Sequence, residues 1–233
     1  MKALVPQLLT GGRLILGAGS LMAALEGQLY LAATLVALGA VTDGLDGVAA
    51  RRLGVSSSFG ALFDYFADYL CYVVAPWAMA RGLLAPERSW ITDTALALPL
   101  LTAAVRYSRN GVVTSDPSQL SGGDMPGLGT VYFAFLAVAA VFGDAARLIP
   151  NFPVLFVLFI VAFSILMVAP VPFPKLARFR GASTLVLVLL ALMPFVATKF
   201  LAAAMFVIGL LYPAVASWAL SAPKRHARAH QVR

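Results

Sequence analysis

The sequence predicts an all-α fold, a polytopic helical bundle embedded in a membrane. Three observations lead there. Of 233 residues, 61% are hydrophobic and only 12% charged, with a mean hydropathy of +0.89, which excludes an ordinary soluble domain. The apolar residues gather into runs near the length that crosses a bilayer, about 20 residues each. The basic residues, finally, fall into alternate connections between those runs.

Eight runs qualify as candidate spans, approximately 14–28, 30–50, 60–82, 93–110, 128–145, 152–170, 182–198 and 200–220. Some are short or nearly continuous with their neighbours, so the expected count is about eight, with six as the smaller alternative. Placing the amino terminus inside puts Lys2, Arg13, Arg51, Arg52, Arg106, Arg109, Lys175, Arg178, Arg180, Lys224, Arg225, Arg228 and Arg233 on the inner side. Only Arg81, Arg88, Arg147 and Lys199 fall outside. Thirteen of seventeen basic residues on one side support the span count and place both termini in the cytoplasm, in a cytoplasmic (inner) membrane. The net charge of +7 is then mostly a topology signal with some attraction to anionic membrane lipids, and no nucleic-acid partner is needed to explain it.

The elements follow in order. Residues 3–13 read as a short interfacial helix; with Lys2 as the only early charge and Pro6 intervening, they do not read as a signal peptide. The first span carries Gly17 and Gly19 and ends outside at Glu26 and Gln28. Spans two and three flank a turn-forming stretch, Leu53 to Phe59, that contains Gly54 and three serines. Residues 83–89 form a solvated outer connection. Span four ends inside at Arg106 and Arg109, before a polar loop reaching Gly129 whose glycines and Pro126 would let it fold back as a cap. Spans five and six enclose an outer link around Asp144, Arg147 and Asn151, and residues 168–180 form a proline-punctuated basic inner loop. Spans seven and eight are aliphatic, with small residues such as Ala202–Ala204 that suit helix packing. The expected organisation is one integral membrane domain, 1–221, and a basic cytoplasmic tail, 222–233, which holds both histidines, His226 and His230. The single cysteine, Cys71, cannot form an internal disulfide and reads as a small core residue.

Chemistry concentrates in spans two and three. Asp43, Asp46, Gly47 and Ala50 fall at i, i+3, i+4 and i+7, one face of a helix. Gly60, Asp64 and Asp68 form a second stripe, at i, i+4 and i+8. An antiparallel hairpin about Val55 would bring the carboxylates level in pairs, across a gap walled by Gly47, Ala50 and Gly60. A carboxylate near the bilayer centre costs roughly 2.5–3.5 kcal/mol, so four could cost on the order of 10 kcal/mol, less if they lie nearer the interface. Packing does not explain that cost. Four clustered carboxylates need a compensating cation, and oxygen donors suit a hard divalent ion, Mg²⁺ or Mn²⁺.

The spacing D-x2-D-G-x2-A-R-x8-G-x3-D-x3-D resembles the signature of the CDP-alcohol phosphotransferases, and Asp43, Asp46, Gly47, Ala50, Arg51, Gly60, Asp64 and Asp68 match its fixed positions. Pro6, Gln7, Leu9, Thr10 and Arg13 resemble the family's P-N-x-L-T-x-x-R opening, with Gln7 in place of Asn. The resemblance implies that Asp43, Asp46 and Asp64 ligate metal, and that Asp68 contributes to the metal site and acts as general base on the acceptor hydroxyl. It implies that Asp43, Gly47, Ala50, Arg51 and Gly60 line the CDP site. It further implies two metal ions, a CDP-diacylglycerol donor, a small polar alcohol as acceptor, an active site facing the cytoplasm, and a homodimer.

Arg106 and Arg109, at i and i+3, are inner-side anchors or, alternatively, ligands for a phosphate or carboxylate on the acceptor. Together with the eight spans, the loop near Met125-Pro126 and the F173-P-K-L segment, they look most like the phosphatidylserine synthase branch, although the branch's R-x-x-R-F-N reads here as Arg109 followed by Asn110. Serine is therefore the leading acceptor, with glycerol 3-phosphate, inositol phosphate or another alcohol as alternatives. A divalent-cation transporter would also place acids in a membrane. Against it, the acidic motif occurs once rather than in two related halves, and Arg51 has no transport rationale.

Overall fold

Small and polar residues at alternating intervals of three and four (Thr10, Arg13, Gly17, Ser20, Ala24) give the first helix a face suited to close packing. In the computed structural model, which describes residues 4–54, 57–115 and 127–170, that face is the buried side of α1 (Leu4–Leu25). A short turn at Glu26–Gln28 returns the chain into α2 (Leu29–Leu53), and the short connection makes the two helices antiparallel neighbours. They pack along their length, and the Ser20 hydroxyl donates to the Ala32 carbonyl at 2.8 Å.

α3 (Ser58–Tyr69) opens on Ser57, whose Oγ accepts a hydrogen bond from the Gly60 amide at 3.0 Å and caps the first turn. It continues through a π turn (Leu70–Val74) into α4 (Ala75–Leu83). Pro76 accounts for the wide turn. A proline inside a helix lacks the amide and crowds the carbonyl a turn before it. The i→i+5 turn, closed by the Ala75 amide on the Leu70 carbonyl, absorbs that residue without ending the helix. The same turn presses Cys71 into the crossing of α1 and α2. A Cβ on Gly17 would lie 3.0 Å from the Cys71 Cα, and one on Gly39 would lie 2.5 Å from its Sγ. Cys71 is fully buried there, as a core residue.

α5 runs from Trp90 to Ser115, beyond the expected end at 110. α6 (Val131–Phe142) is buried on every side from Tyr132 onward, so it is an inner helix rather than a lipid-facing one. α7 (Ala145–Leu148) and α8 (Phe152–Val168) each follow a left-handed residue, Asp144 at φ 51° and Asn151 at φ 54°, types that accept this conformation readily. α8 lies against α5, and α6 packs on α2 and α4.

The described residues are all helical, with no strand. Two helical stretches, Leu4–Leu25 and Leu29–Ala49, are long and apolar enough to cross a membrane, and the apolar helices α6 and α8 are shorter. Two expectations change. The short interfacial helix and the span after it are one uninterrupted helix, α1. And α2 and α3 do not form a simple hairpin: they make little direct contact, while α1 packs against both. The expected spans at 182–198 and 200–220, the inner loop of 171–180, the tail of 222–233 and most of the 111–128 loop lie outside the described residues.

Candidate active site

Helical periodicity places Asp43 and Asp46 one turn apart on α2, and Asp64 and Asp68 one turn apart on α3. Between these helices stands Arg13 of α1. Its Nη1 donates to Asp43 Oδ1 and lies 2.9 Å from Asp68 Oδ1. Its Nη2 donates to Asp64 Oδ1 and lies 3.8 Å from Asp46 Oδ2. One guanidinium thus meets all four carboxylates of the motif. A buried charge requires such partners, because an unpaired one would carry a large desolvation penalty.

Exposure divides the four acids. The side chains of Asp43 and Asp64 are 40% and 41% exposed, while those of Asp46 and Asp68 are 10% and 22% exposed and Arg13 is wholly buried. Asp43 and Asp64 therefore form the rim of the cluster, and Asp46 and Asp68 its inner wall. The Thr10 hydroxyl, one turn before Arg13, lies 3.0 Å from Asp46 Oδ2 and 3.0 Å from the Pro6 carbonyl. The Tyr72 ring lies beneath the guanidinium, 5.9 Å from its carbon. That is within cation–π range.

The donor set suits a metal ion. Asp43, Asp64 and Asp68 each offer a carboxylate oxygen within 4.8 Å of the others, close enough to surround one hard cation. Four carboxylates against one guanidinium also leave three formal negative charges that further cations would balance.

The remaining predicted positions vary in how they meet the cluster. Gly47 is half-buried beside Asp46. A Cβ on Gly60 would meet only the Ser57 hydroxyl, at 3.1 Å, so the protein's own packing hardly demands glycine there. The side chains of Ala50 and Arg51 lie outside those described. α5 approaches α3 through Tyr107, whose ring centroid is 5.4 Å from that of Tyr65 and 6.1 Å from that of Tyr69. Those tyrosines directly follow Asp64 and Asp68, so Arg106 enters the neighbourhood of the acidic helix. Its Nε is buried without a hydrogen-bond partner. Arg109 makes a contact of its own: its Nη1 donates to the Val168 carbonyl at 3.3 Å and ties α5 to the end of α8.

Sequence reasoning gave Arg13 and Thr10 too small a part. Arg13 counted as an inner-side cation and as one letter of a short opening motif, yet it lies at the centre of the carboxylate cluster. The available signal was the i, i+3 spacing of Thr10 and Arg13 on the small-residue face of an apolar helix.

A chain whose described residues are all helical, with two apolar helices long enough to cross a membrane and four acids around one buried arginine, has the makings of a membrane enzyme that works on phosphates through divalent ions. The chain belongs to the CDP-alcohol phosphatidyltransferase family, whose model matches residues 3–218. A protein of Helicobacter pylori (strain 26695) named CDP-diacylglycerol–serine O-phosphatidyltransferase is 32% identical over 181 residues, covering 76% of this chain and 74% of its own. A Bacillus subtilis (strain 168) protein of the same name is 25% identical over 177 residues, covering 75% of this chain and 92% of its own. One from Mycobacterium leprae is 32% identical over 118 residues, covering 50% and 38%. Family membership makes the chain a membrane transferase of phospholipid biosynthesis, and sets aside the transporter reading. The family is divalent-metal dependent, in keeping with the acidic cluster.

Proposed function

We propose that this protein transfers the phosphatidyl group of CDP-diacylglycerol to L-serine, giving phosphatidylserine and CMP. The observation that carries the reading is the convergence of Asp43, Asp46, Asp64 and Asp68 on one buried position in a chain of this family. The names of the relatives from Helicobacter pylori and Bacillus subtilis support serine over glycerol 3-phosphate, inositol phosphate or another alcohol.

In the reaction the serine hydroxyl attacks the phosphatidyl phosphorus. A P–O bond forms there, the phosphoanhydride P–O bond breaks, and CMP leaves with that electron pair. Asp43, Asp46, Asp64 and Asp68 would hold the divalent ions, Mg²⁺ or Mn²⁺ and two in number, with Asp43, Asp64 and Asp68 already grouped for one of them. Ions bound there would supply neutralisation of the diphosphate, polarisation of the attacked phosphorus and stabilisation of the departing CMP. Asp68, on the inner wall, takes the proton of the serine hydroxyl. Asp43, Gly47, Ala50, Arg51 and Gly60 line the CDP site, with small residues where the nucleotide approaches closely and the arginine on its phosphates. Arg106, with its buried unpaired Nε, receives the serine carboxylate, while Arg109 supports it from the α5–α8 contact. The enzyme is a homodimer in the cytoplasmic membrane, one domain over residues 1–221 with a basic tail, both termini and the site facing the cytoplasm. The acyl chains then stay in lipid while CDP and serine enter from water.

The test is CMP release by the protein purified in detergent, with CDP-diacylglycerol, Mg²⁺ or Mn²⁺, and each alcohol in turn, beside Asp68→Asn. Release with serine alone, lost in the variant, is the expected result. Release only with a phosphorylated alcohol would keep the chemistry and overturn the acceptor.

A further inference from the structure

We propose that Arg13 is an internal counter-cation that occupies the carboxylate cluster of the metal-free protein and gives up its carboxylates when a divalent ion enters. The proposal rests on the metal-site reading above and concerns how that site is held before it is filled.

Three features support it. First, Arg13 is fully buried, yet its two terminal nitrogens reach acids on two different helices, Asp43 and Asp46 on α2 and Asp64 and Asp68 on α3. A guanidinium presents several donors in a planar fork, which is why a single side chain can span such a set. Second, the oxygens concerned are those that suit a metal. Asp43, Asp64 and Asp68, which the guanidinium contacts most closely, are the three whose oxygens lie within 4.8 Å of one another. An ion bound to oxygens at about 2.0–2.6 Å fills the space between them, so it and the guanidinium cannot both hold them. Third, the arginine is held by contacts other than the acids. Its helix is packed one turn on, where Gly17 meets Cys71, its stem runs beside Gly39, and the Tyr72 ring lies 5.9 Å from the guanidinium carbon, so its cationic contact with that ring does not depend on the carboxylates. Metal binding is then an exchange of one cation for another. The protein gains a folded acidic site at the expense of metal affinity.

The sign of the effect makes this testable. A residue that merely props up the site would weaken metal binding when removed, whereas a competitor would strengthen it. Binding of Mn²⁺ alone, with no nucleotide, is measured by electron paramagnetic resonance of the free ion on the full chain in nanodiscs, for the wild type, Arg13→Gln and Arg13→Lys. The expected result is at least tenfold tighter Mn²⁺ binding in Arg13→Gln, an intermediate value in Arg13→Lys, and a larger metal-induced rise in melting temperature in Arg13→Gln than in the wild type. If Arg13→Gln folds only when prepared with Mn²⁺ while Arg13→Lys folds without it, the counter-cation role is supported. Equal or weaker Mn²⁺ binding in a folded Arg13→Gln, or in Arg13→Lys where that is the variant that folds, would overturn the exchange and leave the metal site standing. A wild type that binds no Mn²⁺ would instead overturn the metal site itself.

Discussion

The crossing of α1, α2 and the π turn makes a sharp prediction, because two glycines meet the same cysteine through different atoms. A methyl on Gly39 would lie 2.5 Å from the Cys71 Sγ and next nearest, at 3.7 Å, to the Arg13 Cγ. A methyl on Gly17 would lie 3.0 Å from the Cys71 Cα, 3.1 Å from its amide nitrogen and 3.2 Å from its Cβ. Overpacking of a tight core costs typically about 1–3 kcal/mol, so Gly39→Ala and Gly17→Ala should each destabilise by that order. Cys71→Ala removes Sγ and nothing else. It should therefore rescue Gly39→Ala, with a coupling of about 1–2 kcal/mol, but leave Gly17→Ala unrelieved, since the backbone and Cβ that obstruct it remain. For a chain of this size 1 kcal/mol corresponds to about 2–4 °C in melting temperature. Thermal unfolding of the two single glycine variants, Cys71→Ala and the two doubles in one detergent reads the pattern directly. Equal rescue of both glycine variants, or of neither, would refute the crossing geometry.

Other perturbations follow from the site. Thr10→Val deletes the hydroxyl 3.0 Å from Asp46 Oδ2; a hydrogen bond to a charged group is worth about 1.5–3 kcal/mol, so the metal concentration for half-maximal CMP release should rise at least tenfold, and Thr10→Ser should restore it. Chelation by EDTA should abolish CMP release, and excess Mg²⁺ or Mn²⁺ should return it in full; persistent release in EDTA would contradict the acidic cluster's role. Gly127→Ala should cost more than the core glycine variants, because Gly127 has φ +89° and a Cβ there would run into the Met167 carbonyl oxygen; a melting temperature within 1–2 °C of wild type, equivalent to less than about 1 kcal/mol, would argue against that contact.

Much of this was legible in the sequence because the bilayer is a strict solvent. Apolar runs marked the first six helical regions, and the acids marked the site, since a carboxylate in such a run has no cheap structural explanation. What pattern reading could not supply was the third dimension. Adjacency along the chain suggested that α2 and α3 pair directly, but the small face of α1 (Gly17 above all) lets that helix pack against both and carry Arg13 into the middle. Local signals were also weak where geometry depends on one residue's backbone. The span expected over 60–82 runs straight through Pro76, and it is the π turn before that residue that keeps the helix continuous from Ser58 to Leu83. Arg106 and Arg109 looked equivalent at i and i+3, and only the fold distinguishes them: Arg106 lies over the Tyr107 ring, while Arg109 donates to Val168 at the end of α8.

The placement of the π turn bears on the chemistry as well as the fold. An i→i+5 turn adds a residue to the helical repeat, so the faces before and after it are rotated relative to an unbroken helix. Before it, Asp64 and Asp68 face Arg13; within it, Cys71 and Tyr72 are buried against α1 and beneath the same arginine. In a regular helix Asp68 and Tyr72 would stack one turn apart, and Pro76 would force a bend just beyond them. The wide turn carries the helix past Pro76 without ending it, with Asp68 two residues before the turn begins. A carboxylate asked both to hold a cation and to take a proton needs its position fixed by packing rather than by its ligands alone, because the ligands change during turnover. The Gly17–Cys71 contact provides that fixed point one turn from both Arg13 and Asp68, which is why a methyl group placed there should disturb metal binding and CMP release as well as stability.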